Sequence, residues 1–198
     1  MAREKIRVGI IGANARYGWG RSAQIPALKA LPEFETTAIC TSRQETADEA
    51  AKHFGIPLAF AHPAKMVNHS DVDLVSICVR VPFHHQMGMA ALNAGKHLVC
   101  EWPLAATTEQ AAQMHQLAAG KGLHHMVGLQ ARGAPAINRA RDLSGAATAS
   151  CCQRAASLAP ITGTVSTQAG GWGIASVVSA LDQSAIRLAF STMVPMPR

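Results

Sequence analysis

Short, almost uninterrupted apolar runs recur along the first 143 residues and alternate with polar-faced segments that end at glycine. The runs at 6–11, 37–41, 72–79, 97–100 and 125–129 are the right length for strands. Their near-continuous apolar character predicts parallel strands buried on both faces. Between them, residues 46–54 are rich in Ala, Asp, Glu and Lys and stop at Gly55, with Pro57 just beyond. Residues 84–94 stop at Gly95 in the same way, and both are favourable helix ends. Residues 107–110 match a capping box, predicting a helix that reaches 119, before Gly120. Strand and helix in alternation predict an α/β domain with a doubly wound parallel sheet. The right-handed crossover rule leaves few topologies for it.

The pattern breaks at residue 144. The last 55 residues hold eleven Ala, eight Ser and five Thr, with no Lys, no Glu and only four charged residues. The expected division is therefore an α/β domain over 1–143 and an Ala/Ser/Thr-rich tail over 144–198. That tail reads as a linker-like or disordered segment, the product of a damaged reading frame, or the remnant of a truncated second domain. No internal repeat is visible.

Composition narrows the function classes. The formal charge is +6 with a pI near 9.4, but Lys and Arg are scattered and aromatics make up only 5% of the chain. Without a basic run or interleaved aromatics, direct nucleic-acid contact is not expected. Five cysteines in no paired spacing argue against a disulfide framework, and with no CxxC pair no metal site is expected. The N-terminus lacks a signal-peptide core and no run of about 18 apolar residues occurs, so the expectation is a cytoplasmic protein without a membrane partner.

The first chemically informative stretch is Val8-Gly-Ile-Ile-Gly-Ala-Asn-Ala-Arg-Tyr-Gly-Trp-Gly20. A strand runs directly into a glycine-bearing turn and then a helix, as in a Rossmann phosphate-binding unit. There, glycine lets the backbone approach a pyrophosphate, and the helix N-terminus offers unpaired N–H groups. Gly12 takes the first glycine position. Asn14 takes the second, as the residue most tolerant of positive φ after glycine. Gly18 and Gly20 read as an insertion before the helix. The result is an irregular GxGxxG. The second run ends in Cys40-Thr-Ser-Arg43 rather than in an acidic residue, which suits the 2′-phosphate of NADP better than the ribose of NAD. Arg43 is alternatively only a surface residue at a helix start.

These residues, with three further segments, resemble the glucose–fructose oxidoreductase, inositol dehydrogenase and MocA family (Gfo/Idh/MocA). The segments are Val75-Ser-Ile-Cys-Val-Arg-Val-Pro-Phe-His84, Ala91-Leu-Asn-Ala-Gly-Lys-His-Leu-Val-Cys-Glu-Trp-Pro-Leu104, and Val127-Gly-Leu-Gln-Ala-Arg132 with Pro135. The segment from Ala91 to Leu104 is similar to the family's GKHVxxEKP motif, and Ile25-Pro-Ala-Leu28 after the glycine turn adds to the likeness. The resemblance implies an NAD(P)-binding domain followed by a mainly antiparallel α/β domain that completes the substrate site and the oligomer interface. It further implies hydride transfer with a sugar, polyol or related hydroxyl compound, and a homo-oligomer as a possible assembly. Trp102 stands where the family commonly has the EKP lysine; indole does not titrate, so the lysine's role does not carry over. The Glu-Trp pair and the extended turn are similar to the regulatory branch that includes the yeast galactose repressor, a dinucleotide sensor acting on transcription through protein contacts.

The resulting cofactor-side set comprises Gly12, Ala13 and Asn14 in the turn, and Thr41, Ser42 and Arg43 after the second run. It continues with Val79, Val81, Pro82 and His84 after the third, then Glu101 and Trp102, and Gln130. The cofactor is NADP or NAD, with NADP preferred, and no residue is assigned to catalysis. His84 is either close to the cofactor or merely a helix-start residue. Glu101 faces the cofactor's amide or ribose, or satisfies backbone donors. His97 reads as structural, His115 as surface, and the neighbouring His124 and His125 point to opposite strand faces. The peptide before Pro103 is a candidate cis bond. Two functional readings remain, an NAD(P)-dependent oxidoreductase and a dinucleotide sensor without turnover, beside an inactive truncated product.

Overall fold

The computed structural model describes residues 5–129, together with Pro135 and Arg139. Gln130, Arg132 and the proposed tail over 144–198 lie outside the described residues. The chain begins with β1 (Ile6–Ile11), a π-helical turn (Gly20–Gln24) and α1 (Ile25–Lys29). β2 (Phe34–Cys40), α2 (Gln44–Phe54), β3 (Leu58–Phe60) and α3 (Pro63–Val67) follow. Next come β4 (Leu74–Ile77), a 3-10 turn (Val81–Phe83) and α4 (His84–Asn93). The described part closes with β5 (His97–Glu101), α5 (Thr108–Gly120) and β6 (His125–Gly128).

The six strands form one sheet in the order β3-β2-β1-β4-β5-β6, and every pairing is parallel. This is the doubly wound arrangement, with the order reversing between β1 and β4. Alternate residues of each strand feed two cores. Val8, Ile10, Ile39, Leu74 and Val99 pack with Ile25 and Leu28 of α1 and Ala50 of α2. Ile11, Val75, Ile77, Leu98 and Cys100 pack with Met66 of α3, Leu92 of α4 and Met114 of α5. A strand buried on both faces has no polar side to write into its sequence, which explains the uninterrupted apolar runs.

Several expectations shift by local chemistry. β3 has only three half-buried residues and falls below the length at which an apolar run is readable. α1 and α3 are five residues each and were equally hidden. α5 does not stop before Gly120 but runs through it, and the left-handed residue that ends it is Gly122, at φ +65°. Its start agrees with the capping pattern: the Thr107 hydroxyl accepts from the Gln110 N–H, and the Gln110 side-chain oxygen accepts from the Ala106 N–H. α2 ends at Gly55 as expected.

At the amino ends of the strands, Arg7 of β1 is held by two carboxylates. Its Nε and Nη2 donate to Asp73 at 2.9 and 2.7 Å, and Nη1 donates to Asp71 at 2.9 Å. The Arg7 backbone N–H also donates to Asp73, at 3.0 Å. Burial would raise the Asp73 carboxyl pKa, but the hydrogen bonds and charge of Arg7, with Lys96 nearby, hold it below its usual range.

Candidate functional site

The carboxyl ends of β1 and β4 flank the reversal point, where open α/β sheets leave a crevice for ligands. Gly12 ends β1 there with φ +98°. Its N–H donates to the Cys40 carbonyl. A Cβ at this position would lie 2.5 Å from the Cys78 carbonyl oxygen and 2.7 Å from Val79 Cγ1. Only glycine therefore lets the turn lie against the end of β4. Gly20, where the helical segment begins, makes a second close approach: a Cβ there would stand 2.8 Å from the Ala13 Cβ. Gly12 and Gly20 thus fill the tight-turn and helix-packing roles of the fingerprint, spread over a longer loop.

Asn14 does not take the role expected of it. No non-glycine residue among those described has a positive φ, and the left-handed residue in this loop is Gly18, at φ +101°. Asn14 instead accepts the Arg16 N–H through its side-chain oxygen at 2.8 Å, an Asx turn that directs the loop without αL backbone. The helical segment that follows has no side-chain cap at Trp19, and its Ser22 N–H donates to the Gly18 carbonyl at 3.1 Å. A side chain on Gly18 would meet only the Gly12 carbonyl oxygen, at 3.8 Å. An uncapped helix start beside open backbone is chemistry that suits a pyrophosphate.

The other sequence-derived residues fall into three groups. Thr41, Ser42 and Arg43 follow β2 as proposed. The Thr41 hydroxyl lies 2.7 Å from that of Thr46 and 2.9 Å from the Arg43 carbonyl, while Arg43 is exposed with no ion-pair partner among the described residues. Val79, Val81 and Pro82 lead out of β4, the two valines partly exposed and Pro82 exposed. Trp102 stands 66% exposed beside a cis peptide to Pro103, at the end of β5. Tyr17, Phe83, Trp102 and Leu129 are the exposed large apolar side chains among the described residues, and all four lie on segments leaving the carboxyl ends of strands.

Two members of the proposed set are buried instead. Ala13 is closed off under Gly20. His84 is buried with each ring nitrogen facing a backbone carbonyl, Pro103 at 2.8 Å and Val79 at 2.9 Å. It starts α4 and ties the end of β4 to the Pro103 segment. Glu101 is half-buried and accepts a hydrogen bond from the Gln24 amide.

Gln24 and Ser76 were not singled out from sequence. Gln24 ends the π-helical turn, 1% exposed, and its side-chain oxygen accepts from the Ser76 hydroxyl at 3.3 Å. Ser76 is fully buried in β4 and lies 3.7 Å from the Cys78 sulfur. The signal for Ser76 was its being a lone hydroxyl inside an apolar strand; Gln24 carried none. His115, read as a surface residue, meets His125 at 2.9 Å between α5 and β6.

Burial favours the protonated thiol at the described cysteines. Burial pushes the Cys40 thiol up to about 12. Burial and then the Glu101 charge push Cys100 up to about 12. The same two causes raise Cys78 well above the usual thiol range, against the opposing Ser76 hydrogen bond. A protonated thiol does little chemistry near neutral pH. No group of three metal-ligating side chains occurs among the described residues. An open concavity of about 200 Å³ lies beside Lys29, Leu31, Pro32, Glu35 and Phe54, at the opposite end from the glycine turn.

Comparison with known proteins agrees with this geometry. The family described as "Oxidoreductase family, NAD-binding Rossmann fold" matches residues 6–129. Over 147 residues the chain is 31% identical to the galactose/lactose metabolism regulatory protein GAL80 of Saccharomyces cerevisiae, covering 70% of this chain and 34% of that one. It is likewise 31% identical to the levoglucosan dehydrogenase of Pseudarthrobacter phenanthrenivorans, covering 70% of this chain and 36% of that one. Among solved structures, the 3-ketoreductase KijD10 of Actinomadura kijaniata, in complex with TDP-benzene and NADP, superposes with a TM-score of 0.65 at 29% identity. That match covers 71% of this chain and 43% of KijD10. The chain thus spans little more than a third of the length of the curated relatives it matches.

Proposed function

Because the chain belongs to the Gfo/Idh/MocA oxidoreductase family, whose model covers the glycine turn and the whole six-stranded sheet, we propose that residues 1–143 bind a nicotinamide dinucleotide. The pyrophosphate lies over the turn at Gly12. The observation that carries the reading is Gly12 itself, left-handed and pressed against Cys78 at the point where strand order reverses. Gly12, Asn14 and the backbone around them serve the pyrophosphate; Ala13 acts from beneath by supporting the loop. Thr41, Ser42 and Arg43 receive the adenosine ribose. Val79, Val81 and Pro82 form the β4 side, with His84 fixing it from behind. Glu101 and Trp102 stand on the nicotinamide side, a role proposed for Gln130 as well. Arg43 favours NADP, since a guanidinium matches a phosphate better than a ribose hydroxyl.

The reaction proposed is hydride transfer between that cofactor and a sugar- or polyol-like hydroxyl, supported by the sugar dehydrogenase and ketoreductase among the relatives. A second domain, in this chain or contributed by another copy, completes the substrate pocket. A reducing cytoplasm suits the buried free thiols Cys40 and Cys100. No helix among the described residues is long and apolar enough to cross a membrane.

A second reading is favoured by one observation. Trp102, exposed at the end of β5, offers no titratable group where the resembled motif has lysine. On that reading the chain senses the dinucleotide without turnover. Thermal melting with NADP and with NAD tests the shared premise, because a ligand at about a hundredfold excess over its Kd adds about 2.7 kcal/mol to the folded state. A rise in Tm is expected, larger with NADP; no rise with either overturns the dinucleotide reading. Cofactor reduction with a panel of sugars and polyols then separates the two: any turnover removes the sensor reading, and binding without turnover even when a second domain is supplied removes the enzyme reading.

A further inference from the structure

A chain of polar side chains lies over one face of the sheet beside its reversal point. Gln24 belongs to the helical segment that follows the glycine turn, Ser76 to β4 and Glu101 to β5. Ser76 and Glu101 stand on the sheet face that packs against α1, in register with Leu74 and Val99. The Gln24 side chain reaches over this face with both ends of its amide in use. Its oxygen accepts from Ser76 at 3.3 Å, and its nitrogen donates to Glu101 Oε1. A carboxylate only accepts, so Glu101 takes the donor end of the amide, and the amide oxygen is left to the Ser76 hydroxyl, which can donate. The donor end meets the carboxylate, which is the strong pairing.

The backbone explains how Gln24 gets there. Pro26 has no N–H to give the Ser22 carbonyl, and the turn opens: the Ile25 N–H donates instead to Gly20, five residues back. This places one extra residue in the turn and sets Gln24 inward, 1% exposed.

Resting on the dinucleotide reading above, we infer that Gln24 is a positioning residue for cofactor binding. It holds the Glu101 carboxylate at the crevice edge of β5, where the carboxylate accepts from the hydroxyls of the nicotinamide ribose, and it couples the phosphate-binding segment to the nicotinamide half of the site. A glutamine merely filling the core would affect folding alone; a positioning residue affects one half of the ligand.

The test uses the full chain, with NADPH and NADH as whole-cofactor probes and ADP as a probe lacking the nicotinamide riboside. Gln24→Leu should weaken binding of the preferred reduced dinucleotide about tenfold while ADP binding stays within about twofold, the size expected for one hydrogen bond to a charged group. In a Glu101→Gln background the same substitution should add little further loss. Ser76→Ala, which removes only a hydroxyl, should show a smaller loss of the same selectivity and serves if the leucine variant does not fold. Equal loss for ADP and the dinucleotide, no loss for either, or additive loss on the Glu101→Gln background overturns the inference while leaving the dinucleotide reading intact. Failure of the unaltered chain to bind either probe overturns both.

Discussion

The two ends of the sheet are built from opposite principles. At the amino end, charged groups saturate one another: Arg7 bridges Asp71 and Asp73, and His97 and His124 pack ring against ring. At the carboxyl end, side chains are withdrawn. Glycine replaces them at positions 12, 18 and 20, the helix start is uncapped, and the exposed aromatics gather around the opening. An end that satisfies its own polar groups stabilises the strands; an end that withdraws side chains from its turn and exposes apolar surface is suited to a ligand. The same six strands carry both, and only the direction of the chain distinguishes them.

The sharpest way to break this contrast is Gly12→Val. Its Cβ would collide with the Cys78 carbonyl and its φ would be strained, so we expect a loss of about 3 kcal/mol or more in stability and no cofactor-dependent rise in Tm. Chemical denaturation with and without NADP measures both. Asp73→Ala attacks the opposite end. With the carboxylate more than a third exposed, solvent screening reduces the expected cost to about 1–2 kcal/mol. Its dinucleotide affinity should be unchanged; a loss of affinity would mean the ends are not independent.

Arg43→Ala should lower affinity for NADP about tenfold and leave NAD nearly untouched, as removal of one charge-assisted phosphate contact would do. Calorimetric titration with each cofactor decides it. A pH series on stability adds a gentler probe of the amino end. Burial, and then the neighbouring His124 charge, lower the His97 pKa despite Asp73, so the fold favours the neutral ring. Below the ordinary histidine value of 6.5 the unfolded chain binds the proton more readily, and stability falls as pH falls. The Asp73 carboxylate, with its pKa lowered from 3.8, contributes above that value and is lost as pH drops through its folded value. Asp73→Asn should flatten the acid limb. The smallest effect belongs to Arg16→Ala, whose exposed ion pair with Glu49 at 3.1 Å should be worth about 0.5 kcal/mol or less by denaturant melting.

The sequence determined the class of fold and the position of the crevice. Burial on both faces demands continuous apolar strands, and glycine is the residue that permits a turn against a neighbouring strand, so β1, β4, β5 and Gly12 were all readable from local pattern. Short elements such as β3 and α3 were not, because three to five residues carry too little periodicity. Tertiary structure alone decided what depends on distance through space. It gave Gly20, read as part of an insertion, the close packing on Ala13, and gave Gly18 rather than Asn14 the positive φ. It turned His84 inward between two carbonyls 2.8 and 2.9 Å away. It brought Gln24 to Glu101 across 77 positions of chain. A single residue's type records what its backbone must do, whereas a polar side chain's partner is fixed only when the strands have found their order.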